Sequence, residues 1–211
     1  MAAIAVIDYD MGNLHSVCKG LEKAGATPKI TDSAIELAKA DALVLPGVGA
    51  FDPTVQHIRS RDLVEPIKDA IASGKPFLGI CMGLQVLFDS SEEGKEPGLG
   101  IVSGTVRRFR SEPGITIPHM GWNQLELTQP RCPLWQNLSS QPWVYFVHSY
   151  YVDPEDPTVQ AATVTHGSQT VTAAIARDNL MAMQFHPEKS SSAGLQILSN
   201  FVQQVRTVVP V

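Results

Sequence analysis

A change of hydrophobic period partway along the chain constrains its fold most. Over residues 2–80, short apolar runs alternate with helical patterns across short connections. Residues 2–9, AAIAVIDY, are apolar up to a closing Asp-Tyr, which predicts a buried strand. Asn13 follows at a helix start, where it can cap. Leu14, Val17, Cys18, Leu21 and Ala24 recur at helical spacing, and Gly25 ends the segment. Cys18 is therefore expected in the core, where free cysteines often pack. PKIT (28–31) predicts a second strand and SAIELAKA (33–40) a short helix. DALVLPGVGAF (41–51) is a third strand running into a Gly-rich loop, DLVEPIKDAIASG (62–74) a helix, and KPFLGI (75–80) a fourth strand. Strands alternating with helices across short links imply a parallel sheet with helices on both faces.

Beyond that point the helical patterns give way to β-type segments. TVRRF, WNQLEL, WVYFVHSYYV, VQAATVTH, TVTAAIARD and LMAMQF are separated by turn residues and suggest antiparallel additions to the sheet. The segment SAGLQILSNFVQQVRTV (192–208) returns to helical spacing, with Leu195, Leu198, Phe201, Val202 and Val205 on one face. The expected fold is α/β: a central, mostly parallel sheet flanked by helices, with antiparallel strands added in the C-terminal half. With 211 residues and no repeat, low-complexity run or linker, one domain over 1–211 is expected.

Composition excludes several function classes. A net charge of -5 argues against nucleic acid or an anionic membrane as partner. Three cysteines, Cys18, Cys81 and Cys132, give neither a disulfide framework nor zinc-site spacing, so no metal is expected. The start MAAIAVIDYD reaches acid too early for a signal peptide. No apolar run approaches the roughly 20 residues of a membrane span. A reducing cytoplasm is the expected compartment.

The chemistry centres on GICMGLQ, residues 79–85, with one cysteine between two glycines at spacing G-x-C-x-G. An apolar run precedes it and a helical pattern follows, so Cys81 falls at the carboxyl end of a strand, where open α/β sheets place their ligands. The spacing is the thiol version of a nucleophile elbow, whose glycines relieve a strained turn. A helix N-terminus behind the sulfur favours negative charge there, and its free N–H groups, that of Met82 among them, can receive charge developing on a substrate oxygen. These residues alone leave two readings open: a nucleophile, or a small cysteine packed where helix meets strand.

A cysteine nucleophile needs a base. In FHPEKS (185–190), His186 and Glu188 lie two residues apart, so an extended backbone sends both side chains to one side. Pro187 restricts the backbone between them. A carboxylate beside an imidazole fixes its tautomer and favours the imidazolium. An isolated His–Glu pair is otherwise a surface pair worth little. An elbow cysteine followed later by His-Pro-Glu is far more specific than either part.

Together, GICMGLQ and FHPE resemble the class I glutamine amidotransferases, and the match runs in order over most of the chain. Within them, DYDMGNLHS, PGVGAF (46–51), IPHMGWNQL (117–125) and YFVHSYY (145–151) resemble the glutaminase subunits of imidazole glycerol phosphate synthases, of histidine biosynthesis. The resemblance implies a Cys81–His186–Glu188 triad that hydrolyses glutamine through a thioester and needs no cofactor. It implies that Val48, Gly49, Met82, Gln85, His148, Ser149 and Tyr150 bind glutamine, with a backbone N–H near Val48 or Gly49 as second oxyanion donor beside Met82. Gln85, one helical turn beyond Cys81, is expected to meet the α-amino or α-carboxylate end. The resemblance also implies a heterodimer with a (β/α)8 cyclase subunit that takes the ammonia, and it places Asn13, Trp122, Tyr145 and Lys189 at that interface.

Overall fold

The computed structural model describes residues 2–208. The first half is built as β1 (Ala3–Ile7), α1 (Leu14–Lys23), β2 (Thr27–Thr31), α2 (Ala34–Lys39), β3 (Ala42–Gly47), α3 (Phe51–Ser60), α4 (Val64–Ala72), β4 (Phe77–Cys81) and α5 (Met82–Gln85). The second half adds β5 (Ser90–Ser91), β6 (Gly104–Arg108), β7 (His119–Gln124), β8 (Glu126–Leu127), β9 (Trp143–His148), β10 (Tyr150–Pro154), β11 (Gln160–His166), β12 (Gln169–Arg177) and β13 (Leu180–Met183). A 3-10 turn at Pro187–Lys189 leads into α6 (Ser191–Val208).

The main sheet runs β2-β1-β3-β4-β13-β12-β10-β6-β5, with β11 and β8 joined through β12. Pairs from β2 to β13 are parallel, while β12 pairs antiparallel with β13, β10 and β11. The expected α/β class therefore holds. One detail differs: LMAMQF is no antiparallel addition on its β4 side, because β13 lies parallel to β4, with Met183 opposite Ile80. Strands β7 and β9 also leave the main sheet and form a two-stranded ribbon of their own.

Strands β3 and β4 are buried along their whole length, which is why they read as continuous apolar runs rather than alternating ones. One core cluster packs α1 and α6 against one face of the sheet, through residues such as Val17, Leu21, Leu198 and Phe201. The other packs α3 and α4 against the opposite face, through Val55, Ile58 and Ile67. Cys18 is buried in the first cluster, as its spacing predicts. On α6 the buried face includes Ile197 as well as Leu198, Phe201, Val202 and Val205, while Leu195 is only half-buried. No helix among the described residues is long and apolar enough to cross a membrane.

Helix α3 has no counterpart in the sequence reading. Its Pro53 and β-branched Thr54, Val55 and Ile58 weaken the local helix signal. Pro53 is tolerated because it sits in the first turn, where backbone N–H groups have no intrahelical partner. Packing of Phe51, Thr54, Val55 and Ile58 against the sheet settles the conformation.

Candidate active site

Cys81 ends β4 and caps α5 with φ 56° and ψ -111°, a left-sided backbone that side-chain-bearing residues rarely adopt. The flanking glycines answer to close approach. A Cβ on Gly83 would stand 1.9 Å from the Leu45 carbonyl oxygen, and one on Gly79 would stand 2.7 Å from that of Gly83. The elbow is thus wedged between β3 and β13, and larger residues at either position would push the nucleophile corner away from the sheet.

The parallel pairing of β13 with β4 brings His186 to the same end of the sheet. Fully buried Phe185 anchors the step out of β13, and the His186 N–H donates to the Tyr145 carbonyl at 3.0 Å. Ser190 pins the turn, accepting from the Tyr145 N–H at 2.9 Å and donating to the His186 carbonyl at 2.6 Å. His186 Nδ1 meets Glu188 Oε1 at 2.8 Å, and Cys81 lies close enough to the ring to favour its charged form. Both side chains of the His–Glu pair are almost completely buried. Burial alone would push the His186 pKa down. The hydrogen bonds and charges of Cys81 and Glu188 outweigh it and raise the value to about 9.

Beside the sulfur lies a cavity of about 340 Å³, lined by Val48, Gly49, Cys81, Met82, Gln85, Glu93, Pro118, Val147, His148, Ser149, Tyr150 and His186. Every residue expected to bind glutamine is on its wall. Gly49 has φ +95°, and a Cβ there would meet Met11 Cε at 2.9 Å, so the loop needs glycine at that point. Larger hollows of about 520 and 570 Å³ lie elsewhere, but neither brings a thiol beside a histidine. Among the described residues no cluster of histidine, cysteine and carboxylate groups could hold a metal ion.

Several side chains do something other than expected. Asn13 occupies the N-cap position of α1 but makes no side-chain cap bond; its Nδ2 donates to Glu188 Oε1 at 3.5 Å. Competition from that buried carboxylate draws the amide away from the helix end. Gln85 is buried, and its Nε2 already donates to the Tyr150 carbonyl at 3.2 Å and to Gln184 Oε1 at 2.9 Å. Its Oε1 is buried and has no partner among the described residues. Both ring nitrogens of His148 are also engaged, one by the Tyr150 carbonyl and one by His119.

Besides Pro118 and Val147 on the cavity wall, two polar residues join the site that the sequence does not announce. Gln184, fully buried, donates from Nε2 to Cys81 Sγ at 3.6 Å. Glu93 brings a carboxylate to the cavity wall, where its Oε2 accepts from the Phe51 N–H at 2.8 Å. Gln184 sits two residues before His186, the one local signal available; nothing near Glu93 in the sequence marks it.

The four residues expected at an interface divide. Trp122 is 49 % exposed on β7, opposite half-buried Tyr145 on β9, with ring centroids 6.1 Å apart. Met120 and Trp143, also exposed, extend the same apolar ribbon. Lys189 is exposed directly after Glu188, and Asn13 is half-buried against that carboxylate.

A mostly parallel sheet, with a strained cysteine at the end of one strand and a His–Glu pair at the end of its neighbour, is an arrangement suited to cysteine-based acyl transfer. The family model for glutamine amidotransferase class-I matches residues 5–205. The chain belongs to that family. Among curated proteins it is 79% identical, over 98% of each chain, to the imidazole glycerol phosphate synthase subunit HisH of Gloeothece citriformis. It is 75% identical, over the full length of both, to the protein of the same name from Nostoc punctiforme. Solved structures share the fold at lower identity. PurLQS from Thermotoga maritima matches with TM-score 0.77 at 18% identity, covering 98% of this chain and 100% of that one. The glutaminase domain of Trypanosoma brucei CTPS matches with TM-score 0.67 at 17% identity, covering 96% and 94%.

Proposed function

We propose that residues 1–211 form one glutaminase domain, the glutamine-hydrolysing subunit of an imidazole glycerol phosphate synthase, acting in the cytoplasm in histidine biosynthesis. The observation that carries this is Cys81 and His186 side by side on the cavity wall, with Glu188 hydrogen-bonded to the far side of the imidazole. Cys81 Sγ attacks the side-chain amide carbon of glutamine. Met82 and a backbone N–H of the Val48–Gly49 loop receive the charge on the amide oxygen. His186 gives its proton to the departing nitrogen, ammonia leaves, and a thioester remains. His186 then takes a proton from water, which attacks the thioester and releases glutamate and the thiol. Glu188 holds the ring in position and stabilises its charged form throughout.

The cavity's polar groups suit the amino-acid end of glutamine. The Glu93 carboxylate on the wall is an acceptor, so it suits the α-ammonium group rather than the α-carboxylate.

Ammonia released into water becomes ammonium and ceases to be a nucleophile, so it has to pass directly to the synthase partner, a (β/α)8 cyclase. The relatives' name, a synthase subunit, supports that partnership. Trp122, Trp143 and Met120 form an apolar face beside Tyr145, whose carbonyl holds His186, which suits a docking surface reaching the active site. Lys189 has no ion-pair partner among the described residues and is placed to pair with a partner's carboxylate.

Glutamate release from glutamine, measured with and without the cyclase and its nucleotide ligand, tests the reading. Low turnover in the isolated subunit that rises sharply with the liganded partner is expected. In the same assay Cys81→Ser should abolish glutamine-fed synthesis but spare ammonia-fed synthesis. Equal turnover with and without the partner would point instead to a stand-alone hydrolase.

A further inference from the structure

A second polar chain runs behind the cavity wall and reaches Cys81 through Gln184. Its hydrogen bonds have one consistent direction. The Tyr150 carbonyl can only accept, so His148 Nδ1, 2.8 Å away, carries the proton. In a neutral ring Nε2 is then an acceptor, and His119 Nδ1 at 3.0 Å is its donor. His119 Nε2 accepts in turn from Asn123 Nδ2 at 3.1 Å. The Asn123 amide cannot flip without loss, because its Oδ1 accepts from the Gln124 N–H at 2.8 Å and its Nδ2 donates to the Thr165 carbonyl at 2.9 Å. The same Tyr150 carbonyl accepts from Gln85, which orients Gln184 toward Cys81 Sγ.

The geometry points to His119 as a positioning residue for glutamine hydrolysis: acting through His148, it fixes the Tyr150 carbonyl, and with it the Ser149–Tyr150 wall of the cavity and the amide orientations of Gln85 and Gln184. Nothing in the glutaminase chemistry itself assigns His119 a part, and the inference rests on the proposed reaction only for what that wall binds.

The surroundings suit two neutral rings. Phe109 packs edge-on to both, and Phe146 stacks on His119 with centroids 4.8 Å apart. The ionisable groups facing the pair are themselves histidines: His166, stacked on His119 at 4.2 Å, and His186. No carboxylate among the described residues hydrogen-bonds either ring. Burial pushes His119 down to about 4 and His148 down to about 3, and the neighbouring histidines push the same way. A proton added to His148 Nε2 would set its N–H against that of His119 Nδ1, and one added to His119 Nε2 would face the Asn123 amide N–H, so either would break the series.

Nitrogen-15 spectra of the imidazoles in the intact wild-type protein test the arrangement without any variant. Both rings are expected as the neutral Nδ1–H tautomer, unchanged on acidification to about pH 5. Nε2–H tautomers, or rings that protonate near the ordinary ~6.5, would overturn it. In the complex with the cyclase, His119→Phe keeps the ring stack and removes both nitrogens. It should raise KM for glutamine about tenfold with a smaller change in kcat, the scale of one buried partner left unsatisfied. His119→Asn, whose amide can supply a donor where Nδ1 stood, should recover most of the loss. A folded His119→Phe with wild-type KM would overturn the inference. If wild type itself releases no glutamate, the glutaminase reading fails, and the spectra still decide whether this arrangement exists.

Discussion

His186 and His148 face the same cavity, both are buried, and they are held in opposite charge states. His186 has Glu188 on Nδ1 and Cys81 nearby, and its pKa rises to about 9 despite burial. His148 has a carbonyl on one nitrogen and a second histidine on the other, and burial wins. A cavity wall does not set the chemistry of an imidazole; the atoms bonded to its two nitrogens do. In the proposed reaction the first histidine exchanges protons with substrate and thiol, while in the inferred arrangement the second keeps a fixed proton and serves as scaffold.

Converting one environment toward the other should break this contrast most visibly. Glu188→Gln keeps the side chain's shape but removes the charge that opposes burial. His186 should then titrate well below 9, toward the behaviour of His148, and glutamine turnover in the complex should fall about a hundredfold. Imidazole titration by NMR beside steady-state kinetics checks both. An unmoved His186 would mean that Cys81 alone sustains its charge.

The smallest effect, and the one that sharpens the contrast, is on stability. The His186 pKa is raised, so its contribution is complete below about 6.5 and is lost as pH rises through about 9. The pKa values of His119 and His148 are lowered, so their contribution is complete above about 6.5 and is lost as pH falls through about 4 and about 3. Melting temperature should therefore decline on both sides of neutrality for different reasons. Glu188→Gln should flatten the alkaline limb and His119→Phe the acid limb, each by a few degrees, since ~1 kcal/mol shifts Tm by about 2–4 °C at this length. Two limbs unaffected by either substitution would show that other groups govern the profile.

What was legible in the sequence was local. The elbow reveals itself because its glycines flank the cysteine, and the His–Glu pair because two residues of extended chain align them. Strand–helix alternation identifies the parallel half of the sheet. What stayed hidden depends on pairing at long range. Placing β13 beside β4 needs the register of strands a hundred residues apart, and a short apolar strand looks the same in either direction. Gln184 belongs to the site only through such pairing and reads as an interruption inside an apolar run, while Glu93 reaches the site through a loop held by the Phe51 N–H. Asn13 reads as a helix cap until a buried carboxylate competes for it. The histidines at 119, 148 and 166 look unrelated until β7, β9 and β11 bring them together. Helix α3 was hidden by its own composition, which packing overrides.

The most direct test of the account is to treat the complex with a glutamine-mimicking alkylator and locate the adduct by peptide mass. One label is expected, on Cys81, formed faster when the cyclase and its ligand are bound, and slowed in Glu188→Gln. Labelling at buried Cys18 or Cys132, or an unmodified Cys81 in a folded complex, would contradict it.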